Sequence, residues 1–443
     1  MKNIRPKYHI TAEKNWINDP NGLVKFKGQY HVFMQHHPYS LEWGPMHWDH
    51  VVSDDLLHWK HLPIALTPGD EFDKDGCFSG SAIVIDNRLY VVYTGFIDNK
   101  DPEKIIQQQC LAYSDDGVNF VKMGLIISTD DLPEGYASND FRDPKIYKDG
   151  DYYYILVAAR KLDGRGRILS YQSKDLLHWE FLEDILEGDS RGKMIECPDY
   201  VKNLDLLINC EQEQPVDGLM HHNLHSTYYR HGKFVNHKFI TDYSGTVDYG
   251  FDFYAPQTFF SENVLIAWMD MWDRSEPSGQ YGFTGQLTIP RRIRIDNGRL
   301  IQTPVLPENE EELEIINGHY SEHNKYGFYK LEVENLKSLS IIFRKGKEHQ
   351  TSLTFNDKEW VFDRSKSGKT ITGKETDEDS INGIRRMPCI ENKHHDIYFV
   401  LDEFSVEIFI DGYSMTSTIY PNLDDDLLDI CVKADNYKLR RYK

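Results

Sequence analysis

Three versions of one heptapeptide recur about 60 residues apart along the chain: SDDLLHW at 53–59, SDDGVNF at 114–120 and SKDLLHW at 173–179. A second series keeps the same step and consists of short runs rich in β-branched and aromatic residues: YHVFMQHH from Tyr30, LYVVYTGF from Leu89, YYYILVAAR from Tyr152, LDLLINCEQ from Leu204 and VLIAWMDMW from Val264. Turn residues bound each run, which is typical of strands. The recurrence predicts five strands in equivalent places of a repeat protein.

Each of these strands is preceded by another short strand and a hairpin turn, as in GLVKFKGQYHVF, SAIVIDNRLYVV and PKIYKDGDYYYI. An array of small antiparallel sheets with one aromatic-rich repeat each is the sequence signature of a β-propeller. We expect five blades over roughly residues 8–300, within a catalytic domain that spans 1–302. The alternative is an all-β sandwich whose hairpins look alike because all hairpins share turn chemistry.

The pattern changes after IPRRIRI, at the Pro- and Glu-rich stretch TPVLPENEEELEIINGHY (303–320). Its composition suits a connector with a short helix, which we place at 303–325. The segments YKLEVE, SLSIIFR, EWVFDR and DIYFVLD then alternate with period 2 and show no long helical pattern. Residues 326–443 are therefore expected to form a β-sandwich domain, so that the whole chain is all-β.

Composition limits the class of protein. Aromatic residues make up 13% of the 443 residues, too many for a disordered chain, and the formal net charge of −21 disfavours nucleic acid and anionic membranes as partners. The six cysteines lack CxxC pairs, which argues against a zinc site or a disulfide framework. The N-terminus has no apolar export segment and no run approaches the ~18 apolar residues of a membrane span, so a cytoplasmic location is expected.

Acidic residues fall at corresponding places in the predicted blades. Counting back about ten residues from each second strand reaches Asp19, Ser79, Asp143, Glu196 and Ala255. In a propeller these positions face one central channel. Carboxylates held close together raise at least one pKa, so such a group is more often functional than structural. It commonly serves metal binding, an aspartic dyad or glycoside hydrolysis.

The sequence around each acid favours glycoside hydrolysis, because none resembles an EF-hand loop or the Asp-Thr-Gly segment of an aspartic protease. Glu196 lies among apolar neighbours that favour its protonated form, which makes it the predicted proton donor. Asp19 is flanked by Asn18 and Asn21, whose amides can keep it ionised as the nucleophile. Asp143 follows Arg142, which should keep it charged to stabilise an oxocarbenium-like transition state.

Aromatic residues near these acids could provide flat walls for a sugar ring: Trp16, Trp43, Trp48, Phe78, Tyr254 and Trp268. Two histidine groups, at positions 36, 37, 47 and 50 and at 221, 222 and 225, have spacings that could suggest a metal. Neither group is completed by a cysteine or carboxylate set, so no metal site is predicted.

Taken together, the motifs resemble glycoside hydrolase family 32, the invertase, sucrose-6-phosphate hydrolase and fructanase family, over nearly the whole chain. The segments that carry this resemblance are WINDPNG (16–22), FMQ with Gln35, WGPMHW (43–48), FSGS (78–81), FRDP (141–144), ECPD (196–199), FYAPQTF (253–259), VFDRS (361–365) and SVEIFIDGYSMTSTIYP (405–421). The resemblance implies that Asp19 is the nucleophile, Asp143 the transition-state stabiliser and Glu196 the acid/base. It also implies that a fructosyl unit is contacted by Asn18, Gln35, Trp43, Phe78, Ser79, Arg142 and Trp268.

The same resemblance implies a β-fructofuranosidase that hydrolyses the fructosyl bond of sucrose or sucrose 6-phosphate by a retaining double displacement, with no metal or organic cofactor. Exo-acting fructan hydrolysis and fructosyl transfer would use the same covalent intermediate, and a non-catalytic sugar-binding propeller is an alternative of another class. The expected cytoplasmic location favours sucrose or its 6-phosphate over large extracellular fructans. Asp49 departs from the family pattern, where many relatives have a small residue, and would alter the rim or charge of the pocket.

Overall fold

The structure, a computed structural model, describes residues 4–186, 193–259, 262–355 and 358–443. Within these ranges it is almost entirely β, as the sequence predicted, with one short α-helix, α1 (Glu378–Ile381). Four 3-10 helices span Pro102–Lys104, Thr129–Asp131, Lys202–Leu204 and Pro277–Tyr281. None of the helices in the described ranges has the length and apolar character needed to cross a membrane.

The first part of the chain forms five small sheets in chain order. The first sheet contains β1 (Asn15–Phe26), β2 (Gln29–His37), β3 (His47–Ser53) and β4 (Lys60–Leu66), and the second contains β5 (Gly76–Ile85), β6 (Arg88–Ile97), β7 (Ile106–Ser114) and β8 (Val121–Ile127). The third contains β9 (Tyr136–Asp149), β10 (Tyr152–Lys161), β11 (Gly166–Ser173) and β12 (Glu180–Asp184), and the fourth contains β13 (Ile195–Val201), β14 (Leu206–Gln212), β15 (His225–Val235) and β16 (Lys238–Thr246). The fifth contains β17 (Tyr254–Thr258), β18 (Val264–Trp268), β20 (Arg291–Asp296) and β21 (Arg299–Pro304). A two-residue strand, β19 (Phe283–Thr284), joins the first sheet parallel to β1.

The first strands of the five sheets contact one another in a closed ring. β1 contacts β5, β5 contacts β9, β9 contacts β13, β13 contacts β17, and β17 contacts β1. In the second to fifth sheets this strand is an edge of its sheet, with the later strands following outwards in chain order. The predicted acids Asp19, Asp143 and Glu196 all lie on strands of this ring.

Each strand of the ring carries a β-bulge near the residue that the sequence singled out. The pairing register shifts between Ile17 and Pro20, Phe78 and Gly80, Arg142 and Lys145, Glu196 and Asp199, and Tyr254 and Gln257. A bulge adds one residue to a strand and turns the neighbouring side chains, which is why bulges are frequent beside active sites.

The positions of the bulges show that the fourth sheet was aligned one residue out of step with the third in the sequence analysis. In the third, fourth and fifth sheets the residue just after the last regular pair has a positive φ: 64° at Asp143, 49° at Cys197 and 46° at Ala255. Cys197 is therefore the equivalent of Asp143, and Glu196 is the equivalent of Arg142. The prediction that Glu196 and Asp143 occupy matching positions was wrong by one residue.

The heptapeptide repeats form the turns between the third and fourth strands of the first three sheets. In the first, Ser53 accepts a hydrogen bond from the Leu56 amide (2.9 Å) and Asp55 accepts one from the His58 amide (2.8 Å). The same two bonds recur at Ser114 and Asp116 and at Ser173 and Asp175. The repeat is thus a structural turn.

The second part of the chain forms two six-stranded sheets that enclose one large apolar core. One sheet has the order β22-β33-β24-β29-β30-β31 and the other β23-β32-β25-β26-β27-β28. Their strands are β22 (Glu310–Leu313), β23 (His319–His323), β24 (Gly327–Glu334), β25 (Ser338–Lys345), β26 (Gln350–Phe355), β27 (Glu359–Lys366), β28 (Ile384–Pro388), β29 (His394–Asp402), β30 (Ser405–Ile410), β31 (Tyr413–Thr418), β32 (Leu427–Lys433) and β33 (Asn436–Tyr442).

The segment expected to be a connector with a short helix contains strands instead. β22 pairs with β33, and β23 pairs with β32, so each is an edge strand of one of the two large sheets. The Glu-rich β22 is held by basic residues opposite it: Arg441 lies 2.9 Å from Glu311, and Lys438 lies 2.5 Å from Glu312. Cross-strand ion pairs of this kind allow a charged segment to form an edge strand.

Candidate active site

The structure brings the three predicted acids together at one end of the ring of inner strands. Cys197 lies between two of them: its amide donates a hydrogen bond to Oδ2 of Asp143 (3.0 Å), and its Sγ lies 3.6 Å from that oxygen. The same Sγ is 3.7 Å from Oδ2 of Asp19. The positive φ of Cys197 at the bulge directs its amide towards Asp143, so the backbone irregularity forms part of the site.

Asp19 is buried, and besides the Cys197 thiol two polar side chains donate to its carboxylate oxygens. Asn18 Nδ2 donates to Oδ1 (2.9 Å), and Ser79 Oγ donates to Oδ2 (2.6 Å). Asn18 is in turn fixed by the Trp16 indole, which donates to its Oδ1 (2.8 Å). Burial raises the pKa of Asp19, while the bonds from Ser79 and Asn18 act in the opposite direction. Asn21, the second predicted neighbour, is fully buried beside Gln35 rather than beside Asp19.

Glu196 is held as a carboxylate by two strong donors. Arg142 donates from Nη2 (2.7 Å) and Nε (3.3 Å) to Oε1, and the Tyr254 hydroxyl donates to Oε2 (2.5 Å). Burial opposes ionisation, yet the charge of Arg142 and the two sets of hydrogen bonds outweigh it and lower the pKa of Glu196. The prediction that apolar surroundings favour a protonated Glu196 was therefore wrong for the free protein, because it ignored partners distant in sequence.

The pKa of Asp143 differs from the expected value in the opposite direction. Burial raises its pKa to about 7, and the negative charges of Glu196 and Asp19 add to this effect against the opposing charge of Arg142. Arg142 was expected to hold Asp143 ionised, but its guanidinium turns to Glu196 and to Asp140 (2.7 Å) instead. The structure therefore reverses the two expectations, since the pKa of Asp143 is raised and that of Glu196 is lowered.

Aromatic side chains form the rim and floor around these acids. Trp43 is 46% exposed at the rim and meets Phe78 edge to face at 5.8 Å between ring centroids. Trp16 packs on the fully buried Trp268 (5.9 Å), below the surface of the site. Trp48, predicted as a wall, is instead a core residue with no exposed surface, and its indole donates to the Phe78 carbonyl.

Two other residues singled out in the sequence, Gln35 and Asp49, make hydrogen bonds to backbone groups. Gln35 is buried on β2 and donates to the Cys77 carbonyl (3.0 Å), which supports the strand that carries Phe78 and Ser79. Asp49 is buried on β3 and accepts a hydrogen bond from the His50 amide, so it does not form part of an exposed rim, contrary to the expectation.

Four side chains acquire a place in the site that the sequence did not assign. Tyr254 contributes a hydroxyl to Glu196 rather than a flat wall. Thr94 accepts a hydrogen bond from the Asp143 amide (3.0 Å), and Gln107 accepts one from Arg142 (3.2 Å). Trp272 stacks on Trp16 at 6.0 Å. The run FYAP marked Tyr254. Thr94 and Trp272 lie in the repeated runs LYVVYTGF and VLIAWMDMW, which predicted strands rather than site residues, and Gln107 lies outside any quoted motif.

This arrangement supplies the groups that a double displacement requires. Asp19 has both carboxylate oxygens oriented by hydrogen-bond donors, as suits a nucleophile. Glu196 is a second carboxyl group whose protonation is controlled by Arg142 and Tyr254. A pair of carboxyl groups on opposite sides of a glycosidic bond is the core of glycoside hydrolysis.

Family comparisons cover nearly the whole chain. Residues 9–304 match the model for the glycosyl hydrolases family 32 N-terminal domain, and residues 305–440 match the model for the family 32 C-terminal region. The chain is similar to a sucrose-6-phosphate hydrolase of Zymomonas mobilis, with 34% identity over 95% of this chain and 87% of the relative. It is equally similar to a raffinose invertase of Escherichia coli, with 34% identity over 96% of this chain and 91% of the relative.

Solved structures are also similar to this chain over its whole length. A sucrose-6-phosphate hydrolase from Lactobacillus gasseri superposes with a TM-score of 0.87 at 27% identity, covering 100% of this chain and 93% of that one. A family 32 β-fructofuranosidase of Bombyx mori superposes with a TM-score of 0.83 at 29% identity, covering 100% and 94% of the two chains. The likeness therefore extends over both halves of the chain.

Proposed function

The chain belongs to glycoside hydrolase family 32, and from this premise we propose that it is a retaining β-fructofuranosidase acting on sucrose or sucrose 6-phosphate. The observation that carries the proposal is the grouping of three carboxyl groups around Cys197: its amide and thiol contact the buried Asp143 and Asp19, and Glu196 is the residue just before it. Relatives named sucrose-6-phosphate hydrolase, and a silkworm β-fructofuranosidase solved in complex with sucrose, support the choice of substrate.

In the first step Asp19 attacks the anomeric C2 of the fructosyl unit while Glu196 protonates the departing glycosidic oxygen. Ser79 and Asn18 hold the two oxygens of Asp19, so the carboxylate meets C2 in a fixed orientation. A bond forms between Asp19 and C2 as the bond from C2 to the leaving oxygen breaks. Asp143 binds sugar hydroxyls and stabilises the positive charge that develops on the ring.

Sugar binding favours the protonated form of Glu196 that this step requires. Bound sugar excludes solvent from Glu196, whose side chain is 13% exposed in the free protein, and this raises its affinity for a proton. Sugar hydroxyls that donate to Asp143 favour the ionised form of that group. Binding thus favours a proton on Glu196, from which it can reach the leaving oxygen.

The second step uses the environment seen in the free protein. Once Asp19 is esterified it has lost its negative charge, and Arg142 and Tyr254 favour ionised Glu196. That carboxylate removes a proton from water, which attacks C2 and releases Asp19. The low pKa of Glu196 in the free protein therefore suits the hydrolytic half of the reaction.

We further propose that the five sheets around the closed ring are the blades of a five-bladed propeller that forms the catalytic domain, residues 1–302. Residues 326–443 form the β-sandwich domain. The fifth sheet continues to Pro304, and β22 and β23 extend the sandwich sheets as edge strands. The six cysteines are all free, four of them buried, which supports a reducing cytoplasm as the location.

A comparison of kcat/KM on sucrose, sucrose 6-phosphate, inulin and levan tests this function. We expect fructose release to be fastest from one of the two sucrose substrates, with the β anomer of fructofuranose appearing first by NMR. Faster release from the polymers would establish a fructan hydrolase, and trisaccharide formed at high sucrose would establish a transferase. A protein that releases fructose from none of the four would be a sugar-binding propeller without catalysis.

A further inference from the structure

The loop that follows Trp268 is held residue by residue by the second half of the chain. We call residues 269–276 the tryptophan loop, because Trp272 lies in it, and residues 372–375 the clamp segment. The tryptophan loop follows β18 of the fifth sheet, whereas the clamp segment lies between β27 and α1 in the C-terminal unit. Contacts between the two therefore cross from one half of the chain to the other.

Four consecutive residues of the tryptophan loop each have a partner in the C-terminal unit. Asp273 pairs with Lys374 at 2.8 Å, and Ser275 donates its amide to the Thr372 carbonyl at 3.0 Å. Glu276 accepts a hydrogen bond from the hydroxyl of Tyr420. The fourth contact, between Arg274 and Glu375, is buried, since the two side chains are 1% and 9% exposed.

Arg274 ties this contact to the base of the fifth sheet. Besides Glu375, its guanidinium binds Asp252, which also accepts a hydrogen bond from Arg364 of the C-terminal unit (2.9 Å). Buried charges that are fully paired in this way are costly to separate, because either partner alone would remain unpaired in a poorly solvated site. The base of the tryptophan loop is thus fixed by a paired ionic network rather than by loose surface contacts.

Trp272 comes immediately before these four residues and is connected to Asp19 through Trp16 and Asn18. Its ring stacks on Trp16 at 6.0 Å between centroids and meets Trp268 edge to face at 5.1 Å. Trp16 donates to Asn18 (2.8 Å), and Asn18 donates to Asp19 (2.9 Å). Each step is a direct contact, so a shift of Trp272 would be passed on to the amide that orients the nucleophile.

We infer that the C-terminal unit positions the nucleophile, with Trp272 as the positioning residue and the contact between Arg274 and Glu375 as its anchor. The inference rests on the proposed function, because it assigns Asp19 as nucleophile. Trp272 acts through Trp16 and Asn18, and so its role is to hold the orientation of Asp19. A displacement of even 1 Å in a reacting group can reduce a rate by about a hundredfold, which is the scale on which such an anchor matters.

Kinetics of Trp272→Ala, Trp272→Phe and Glu375→Gln test this inference. We expect Trp272→Ala to lower kcat about tenfold or more with a smaller change in KM, because the orientation of Asp19 affects the reaction more than binding. Trp272→Phe should retain most of the activity, since a flat ring can still stack on Trp16. Glu375→Gln should lower kcat in the same direction and reduce the near-UV circular dichroism of the packed tryptophans.

A matched control separates positioning from general loss of contact between the two halves of the chain. Arg299→Gln removes a different contact between them, the bond from Arg299 to the Asp411 carbonyl (2.8 Å), and should leave kcat and KM unchanged. A double-mutant cycle adds a direct test: Trp272→Ala and Asn18→Ala should reduce kcat less together than the product of their separate effects, because they act on one relay.

The outcomes distinguish failure of this inference from failure of the proposed function. Wild-type turnover with unchanged kcat in Trp272→Ala and Glu375→Gln would overturn the positioning role alone. So would fully additive effects in the cycle, or an equal loss in Arg299→Gln. A wild-type protein that releases no fructose would overturn the proposed function, and the positioning of a nucleophile would fall with it.

Discussion

The hydroxyl of Tyr254 lies 2.5 Å from Oε2 of Glu196 and donates to it, while Arg142 occupies the other oxygen of the same carboxylate. Tyr254 and Glu196 come from inner strands of neighbouring sheets and occupy equivalent positions just before the bulge of each strand. The repeat thus places a donor on one strand beside an acid on the next. Control of the protonation of Glu196 follows from the geometry of the repeat.

Removal of this hydroxyl should shift the pH dependence of the reaction. A hydrogen bond to the ionised form lowers a carboxyl pKa, so Tyr254→Phe should raise the pKa of Glu196. Since Glu196 must be protonated for the first step, the alkaline limb of the kcat/KM profile should move to higher pH. The control is Tyr93→Phe, which removes an equally buried hydroxyl from Asp73, outside the site, and should leave that limb in place. An unchanged limb in Tyr254→Phe would contradict the assignment of Glu196 as acid.

Loss of the hydrogen bond from Ser79 to Asp19 should shift the acidic limb of the kcat/KM profile. Ser79 Oγ lies 2.6 Å from Oδ2 of Asp19 and favours its ionised form, so Ser79→Ala should raise the pKa of Asp19 further. We expect the acidic limb of kcat/KM to move to higher pH and the maximum to fall about tenfold or more, because a hydrogen bond to a charged group is lost. Ser81→Ala, two residues along the same strand, removes a bond to the Pro144 carbonyl. It should reduce stability without moving the limb, and an equal shift in both variants would refute the role of Ser79.

A buried ionic group between the two halves of the chain predicts how stability changes with pH. His9 lies 2.7 Å from Asp402 and 2.9 Å from Glu407, and none of the three side chains is exposed. Although burial disfavours its charge, hydrogen bonds and charges from these two acids raise the pKa of His9 to about 9. The folded protein therefore binds this proton more tightly than the unfolded chain.

A raised pKa contributes stability that is fully present below the unfolded value and is lost as pH rises through the folded value. The window for His9 runs from about pH 6.5 to about 9, and the contribution is on the order of 3 kcal/mol. Thermal unfolding should show Tm falling across this window, and His9→Gln should be less stable at pH 6 with a flatter dependence. His58→Gln, at an exposed ion pair with Asp55, should keep the wild-type slope. An identical slope in His9→Gln would show that other groups cause it.

Local patterns were enough to predict the all-β class and to find the three acids that lie together. Alternation with period 2 and turn residues are written into short segments, so the all-β class and the five successive hairpins could be inferred without knowledge of tertiary contacts. The acids Asp19, Asp143 and Glu196 were found because a repeat places them near the same end of their strands. The structure brings these side chains together, and the roles assigned to them remain predictions.

What the sequence did not predict depends on contacts between distant residues. The pKa values of Glu196 and Asp143 departed from expectation because the guanidinium of Arg142 turns across to the next sheet instead of to its own neighbour. The equivalence of Cys197 with Asp143 depends on a bulge, which adds a residue without a marked change in composition. The strand β22 resembled a connector because the basic residues that stabilise it lie more than a hundred positions later in the chain.

Removal of the carboxyl group of Glu196 should separate the two chemical steps. Glu196→Ala cannot protonate a sugar leaving group, so kcat on sucrose should fall by about 10²–10⁴, the usual contribution of general acid–base catalysis. An aryl β-fructofuranoside should be affected much less in the first step, because a phenolate departs without a proton. Azide, which needs no base, should then attack C2 of the ester with Asp19 and accelerate turnover, giving a fructosyl azide of retained β configuration. Glu183→Ala, on β12 beside Lys238, should behave as wild type on both substrates and form no azide product. Equal losses on sucrose and on the aryl substrate, with no effect of azide, would show that Glu196 is not the acid/base.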